Sequence, residues 1–324
     1  MTTIAQTPTL RAEKAAIPRS VYIALAIGIL AGASAALATK YALADGASPL
    51  MIAFFRLGAA TLLLTPIVLA RYRHDLRKLT RRDLVLLSIG GMWMALHFVL
   101  WSASLVYASV LVATVIVCSS PIWTAVFEIA FLRARLTRMI AIGLILAVGG
   151  NIAIAFGGSA DGGSNQALGG FIAMVAAVAI AAQRTIGRSL RLHIPVFPYL
   201  WLMYLAGTLT LLPIMIATRT PIIGYTPSAY LWMFLLTLLP QLLGHGAFNY
   251  ALGYFSATFT SLIIQMQPPI ASAVAFFAFG EVPGWLQVIG SGVIVAGVVI
   301  AIQARRTASG AASPAPPPAD ADLR

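Results

Sequence analysis

Residues 107–151 read YASVLVATVIVCSSPIWTAVFEIAFLRARLTRMIAIGLILAVGGN, and 147 residues further on the chain returns to their pattern. Tyr254, Ser256, Ile263, Pro268, Ile289, Gly290, Val295 and Gly297 fall in register with Tyr107, Ser109, Ile116, Pro121, Ile142, Gly143, Val148 and Gly150. Apolar matches alone carry little weight in so apolar a stretch. Proline and glycine act on the backbone, however, so a proline and two glycines held at one offset mark a repeated structural unit. The chain reads outward from here as two copies of one membrane module.

The 324-residue chain is 60% hydrophobic and 9% charged, whereas soluble domains carry about 25% charged residues. A net charge of +12 raises nucleic acid as a partner. The basic residues nevertheless sit in short clusters between apolar runs, an arrangement that orients a membrane protein and argues against nucleic acid. Cys118 is the single cysteine, which excludes a disulfide framework and a thiolate metal site.

A hydrocarbon core about 30 Å thick needs about 20 apolar residues per helix. Residues 21–44, 49–70, 84–106, 108–132, 138–157, 168–187, 196–217, 229–252, 255–279 and 284–302 meet that need. Two pairs are nearly fused, at Tyr107–Ser109 and Gly253–Ser256, and each fused run is too long for one helix, so each predicts a tight hairpin. Residues 1–20 form a polar tail, 21–157 the first repeat, 158–167 an external linker, 168–303 the second repeat and 304–324 a disordered tail rich in Ala and Pro. Ala42-Leu43-Ala44 resembles a signal-peptide cleavage site, but the run from Val21 is longer than a signal core and Lys40 lies just before it. The first span is therefore read as uncleaved.

With the N-terminus in the cytoplasm, every Lys and Arg but Lys40, Arg56, Arg184 and Arg219 falls on the cytoplasmic side, while Asp45, Asp161 and Glu281 fall outside. The positive-inside rule thus predicts two cytoplasmic termini. Five spans per repeat invert the second copy relative to the first, and inverted repeats place a substrate near the midplane between the halves. The expected fold is an all-α integral membrane protein of ten transmembrane helices in two inverted five-helix repeats.

Ionisable residues at membrane depth face a cavity or a partner, because lipid cannot solvate them. The third span carries Trp93, His97 and Trp101 at a spacing of four, along one helical face. The eighth carries Gln241, His245 and Asn249 at the same spacing, one residue off the main offset, which calls for a single-residue indel at the hairpin. Two equivalent histidines would meet across the pseudo-twofold centre, as cavity lining or as helix-to-helix hydrogen bonds, and either could relay a proton. The two tryptophans are read as an aromatic wall or as interfacial anchors.

Gln265, Gln267, Pro268 and Pro269 in the ninth span, with Ser119, Ser120 and Pro121 in the fourth, predict kinks that leave carbonyls free toward a cavity, or bends with no ligand role. Lys40, Arg56 and Arg184 read as snorkelling cations, with Arg56, the deepest, the best placed to attract an anion. Glu128 is expected to pair locally with Arg133, a proton site being the alternative. Gly28 with Gly32, and Gly292 with Ala296, read as packing seams.

No nucleophile has a base at a usable spacing, the histidines lack metal-ligand spacing, and no phosphate-binding loop is present. Neither cofactor, metal nor catalysis is expected. A non-transporting scaffold or receptor and an intramembrane lipid-modifying enzyme are the competing function classes. Small-molecule substrate and membrane lipid are the expected partners, with a homodimer left open.

The segment AGASAALATKYALADGASPLMIAFFRLGAATLLL, with Lys40, Ser48-Pro49 and Arg56, resembles the opening pair of the EamA family of the drug/metabolite transporter superfamily. YASVLVATVIVCSSPIW resembles its fourth helix, and GEVPGWLQVIGSGVIVAGVVIA its Gly-Glu turn and glycine-lined last helix. The chain departs from the pattern at Arg133-Ala134, where the first repeat's Gly-Glu stands in the family, and at Ala31-Gly32, where the family has Trp-Gly. The resemblance implies a ten-helix inner-membrane carrier working by alternating access and commonly exporting amino acids or related metabolites. It also implies a cavity lined by the third, fourth, eighth and ninth helices.

Overall fold

The computed structural model describes residues 17–157, 164–279 and 282–310. Arg11, Lys14, Asp161, Glu281 and Arg324, with most of the joining loop and most of both tails, lie outside the described residues. Among the described residues there is no strand, and nine helical stretches are long and apolar enough to cross a membrane. Residues 257–279, divided into Ala257–Ile264 and Gln267–Phe279, complete the ten.

The spans start where short polar side chains can cap them. Ser48 accepts from Met51 N ahead of Pro49–Arg71, and Thr80 closes a capping box with Asp83 ahead of Arg81–Tyr107. Ser109, Asn165, Thr226 and Ser256 cap the fourth, sixth, eighth and ninth spans in the same way. The repeated serine of the opening stretch is therefore a helix cap in both copies. The first span runs Arg19–Ala33 and Ala35–Ala44, interrupted at Ser34, whose hydroxyl donates to Ala31 O.

The fourth span consists of Val110–Val117 and Ser120–Leu132. Its breakpoint at Cys118–Ser119 and that of the ninth span at Gln265–Met266 fall at the same 147-residue offset. The prolines do not kink a continuous helix. Pro121 and Pro268 lie in the first turn of the second half-helix, where a missing N–H costs no hydrogen bond. The eighth span differs from the third in being wound as a π-helix over Thr237–His245, around Pro240. The register slip between the two histidines thus has a counterpart inside the helix as well as at the hairpin.

The fifth span, Arg138–Gly157, and the tenth, Trp285–Gly310, form the closest seam. A Cβ on Gly143 would lie 2.5 Å from Gly297 O, and one on Gly297 would lie 2.6 Å from Gly143 O. Gly150 and Gly290 face each other likewise, each 2.5 Å from the other's carbonyl. Since Gly143 is equivalent to Gly290 and Gly150 to Gly297, exchanging the repeats maps one contact onto the other. Equivalent helices that cross antiparallel are related by an axis perpendicular to both, so the dyad lies in the membrane plane. The expected seam at Gly292 is not one, because a Cβ there would meet nothing within 4 Å.

Arg133 ends the fourth span with φ 51°, the left-handed region. That region favours glycine, and here a non-glycine residue occupies it.

Candidate functional site

Elements of both repeats meet on the dyad. Gln265 Nε2 donates to Cys118 O at 2.6 Å, so the two equivalent breakpoints touch. The carbonyl released by the fourth-span break is thereby satisfied by a side chain of the other repeat rather than left to a cavity. His97 and His245 also meet, with ring centroids 6.5 Å apart. His97 Nδ1 lies 2.9 Å from Ala176 O on the sixth span. A carbonyl can only accept, so Nδ1 carries the proton and Nε2 is the acceptor nitrogen of the neutral ring.

Phe98 joins the histidines to Arg56. Its ring centre is 5.1 Å from that of His245, edge to face, and the Arg56 guanidinium carbon lies 3.8 Å over it. Arg56 is 1% exposed, so it does not snorkel. Its Nε donates to Gln241 Oε1 at 2.9 Å, while Tyr204 OH donates to Gln241 O at 3.3 Å. The π-helical turn presents this glutamine across to the second span. Burying a guanidinium costs several kcal/mol, and the ring face and amide recover part of that.

Arg184 is also buried, and its Nη1 donates to Ser120 Oγ and Ser261 Oγ at 3.2 Å each. It thereby clamps the halves of the fourth and ninth spans that run toward the basic face, where Arg71–Arg82, Arg133–Arg138 and Arg188–Arg191 gather. Thr124 adds a hydroxyl contact to Ser261 at 3.3 Å. Among the described residues the ion pairs are Lys78–Asp75 and His193–Asp83, so no described carboxylate pairs with a buried arginine.

The other sequence candidates divide. Ser119 reaches Met174 Sδ at 3.8 Å, and Gln267 lies against Gly32. Pro121 is buried, while Trp93 and Pro268 are half-buried. Trp101 packs into an alanine-rich cluster with Ala108, Ala113, Ala173 and Ala176. Asn249 Oδ1 accepts from Gln183 Nε2 and from Tyr199 OH, each at 3.1 Å, and its Nδ2 donates to His245 O. Asn249 is thus the hub of a closed network. Replacing it with leucine is expected to leave the buried Tyr199 hydroxyl proton without an acceptor, while Gln183 Nε2 keeps Tyr199 Oη and Met203 Sδ, and to cost about 1–3 kcal/mol, read as a lower melting temperature in detergent. Lys40 is exposed, as snorkelling requires.

Glu128 does not pair with Arg133. Its carboxylate accepts from Ala257 N at 2.7 Å and Thr258 N at 2.8 Å, capping a helix of the other repeat. Arg188, Arg191 and Arg305 donate to Leu252 O, Asn249 O and Tyr254 O, pinning the eighth–ninth hairpin on the same face. Gln183, Tyr199, Tyr204 and Arg191 escaped the sequence reading, since amphipathic spacing says nothing about which buried polar groups will meet. A cleft of about 470 Å³ lined by Pro66, Ile67, Ala70, Arg71, Tyr72 and Phe197 opens at the basic face, at helix ends rather than at the dyad.

Two inverted five-helix units closing on a polar, cationic centre define a multi-pass membrane protein of the transporter class. The EamA-like transporter family model matches residues 19–156 and again 167–303. The chain belongs to the EamA-like transporter family. It is similar to a probable terminal-alkyne amino-acid exporter of Streptantibioticus cattleyicolor, 26% identical over 86% of this chain and 91% of that one. It is also similar to the uncharacterized transporter YdfC of Bacillus subtilis, 23% identical over 78% of this chain and 82% of that one. A crystal structure superposes with a TM-score of 0.73 at 17% identity, covering 90% of this chain and 99% of the other, a likeness of fold alone.

Proposed function

We propose that this chain is a secondary carrier that exports a small amino-acid-like metabolite across the inner membrane by alternating access, with both termini in the cytoplasm. The observation that carries the reading is the meeting, at the dyad, of two broken helices, two histidines and a buried arginine that no described carboxylate neutralises. Half-helices at the midplane and a seam between inverted repeats suit a solute site that each repeat can open in turn. Trp93, His97, Ser119, Ser120, Gln241, His245, Gln267 and Pro268 surround that site, with His97 Nε2 offering an acceptor to a donor on the solute. Bonds from Glu128, Arg188, Arg191 and Arg305 hold the eighth–ninth hairpin at the basic face, which this reading turns toward the cytoplasm. The amino-acid assignment draws on the similar exporter.

Proteoliposomes screened with amino acids, nucleosides and vitamins, with and without a proton gradient, test this. Wild type is expected to move an amino-acid-like solute. His97→Ala and His245→Ala are each expected to slow it by about tenfold, the effect of losing one hydrogen bond to a charged group. A panel in which no solute moves would overturn the reading.

A further inference from the structure

Among the described residues three arginines are buried, Arg56, Arg184 and Arg191, and only Arg56 has a fully buried donor without a partner, Arg191 being held by Asn249 O and Ile194 O. Arg184 is spent on the hydroxyls that join the fourth and ninth spans. Arg56 is held at Nε by Gln241 and across its face by Phe98, yet Nη2 is buried with no partner. The other buried side-chain atoms without a partner among the described residues, on Ser102, Thr114, Asn151 and Thr258, belong to neutral groups. A guanidinium keeps its charge under all ordinary conditions, so an unfilled donor on it is a far stronger demand for an anion than an unfilled hydroxyl is for water.

Every group that orients Arg56 is neutral. The amide of Gln241 holds one edge, the Phe98 ring one face, and Met94 lies against that amide. The side chain is pre-organised, with one edge left for a planar, singly charged acceptor. A carboxylate matches that fork and cancels the charge one for one. His245, half-buried and on the same phenyl ring, connects the arginine to the dyad.

We propose that Arg56 Nη2 is the docking point for the substrate's carboxylate, so that the transported solute must carry a free acid group. This rests on the transporter reading above and narrows it. The test is counterflow in proteoliposomes with L-propargylglycine, L-leucine and L-phenylalanine, each compared with its amide and its decarboxylated amine. Acids are expected to exchange at least about tenfold faster than either neutral-ended analogue, the span of one charge-assisted hydrogen bond. Arg56→Gln, checked for a monodisperse gel-filtration peak, is expected to erase that preference, and Arg56→Lys to keep part of it. If Arg56→Gln does not fold, the wild-type preference and the lysine variant decide. Equal exchange of acids and analogues by wild type, or acid exchange by Arg56→Gln within twofold of wild type, would overturn the subsite while leaving a transporter. A wild type that exchanges none of the panel would overturn both.

Discussion

Glu128→Ala is expected to destabilise the protein by about 3–5 kcal/mol, the loss of two short hydrogen bonds to a carboxylate and the stranding of two buried amides. The bonds run to Ala257 N and Thr258 N, at the positive end of a half-helix that belongs to the other repeat. Glu128→Gln should fall between, because its amide oxygen still accepts while its NH2 opposes a donor. Denaturation of purified protein in detergent measures this, and a variant within about 0.5 kcal/mol of wild type, the ordinary scatter of surface substitutions, would remove Glu128 from the interface. The same change should loosen the basic face. In a Cys118→Ser background, Ser256→Cys should react faster with an impermeant maleimide when Glu128 is alanine, provided that face is the one exposed to the reagent.

Leucine in place of Gly143, Gly150, Gly290 or Gly297 is expected to abolish the fold, seen as loss of monodisperse protein. A Cβ would stand 2.5 to 2.6 Å from a carbonyl oxygen at all four, and two helix backbones would have to separate. Alanine should cost about 1–3 kcal/mol. The twofold adds a sharper expectation: Gly143→Ala and Gly290→Ala occupy equivalent places and should cost nearly the same. Gly292→Ala, with nothing within 4 Å, should be neutral or slightly stabilising. A costly Gly292→Ala beside a harmless Gly143→Ala would mean that the seam lies elsewhere.

Much of the architecture was legible without coordinates. The register that matched Ser109 with Ser256, Pro121 with Pro268, Gly143 with Gly290 and Gly150 with Gly297 came from spacing, whereas their roles as caps, first-turn prolines and one glycine crossing came from the structure. The histidines, too, were placed across the dyad by spacing alone. Other readings failed for a shared reason. Glu128 was paired with the nearest cation in sequence, yet backbone amides of another helix hold it. Gln265 was aimed at a cavity, yet it holds Cys118 O. Asn249 shares a helical face with His245, but a neighbouring span absorbs it into a network with Gln183 and Tyr199.

The sequence by itself determined the spans, their hairpins and the inverted duplication, because a bilayer demands long apolar helices and writes that demand into every twenty residues or so. Only the tertiary structure decided which buried polar groups satisfy one another. Arg56 meets Gln241 across 185 positions, Cys118 meets Gln265 across 147 and Glu128 meets Ala257 across 129. Hydrogen bonds act over about 3 Å, so their partners follow from how helices cross, which no local periodicity encodes.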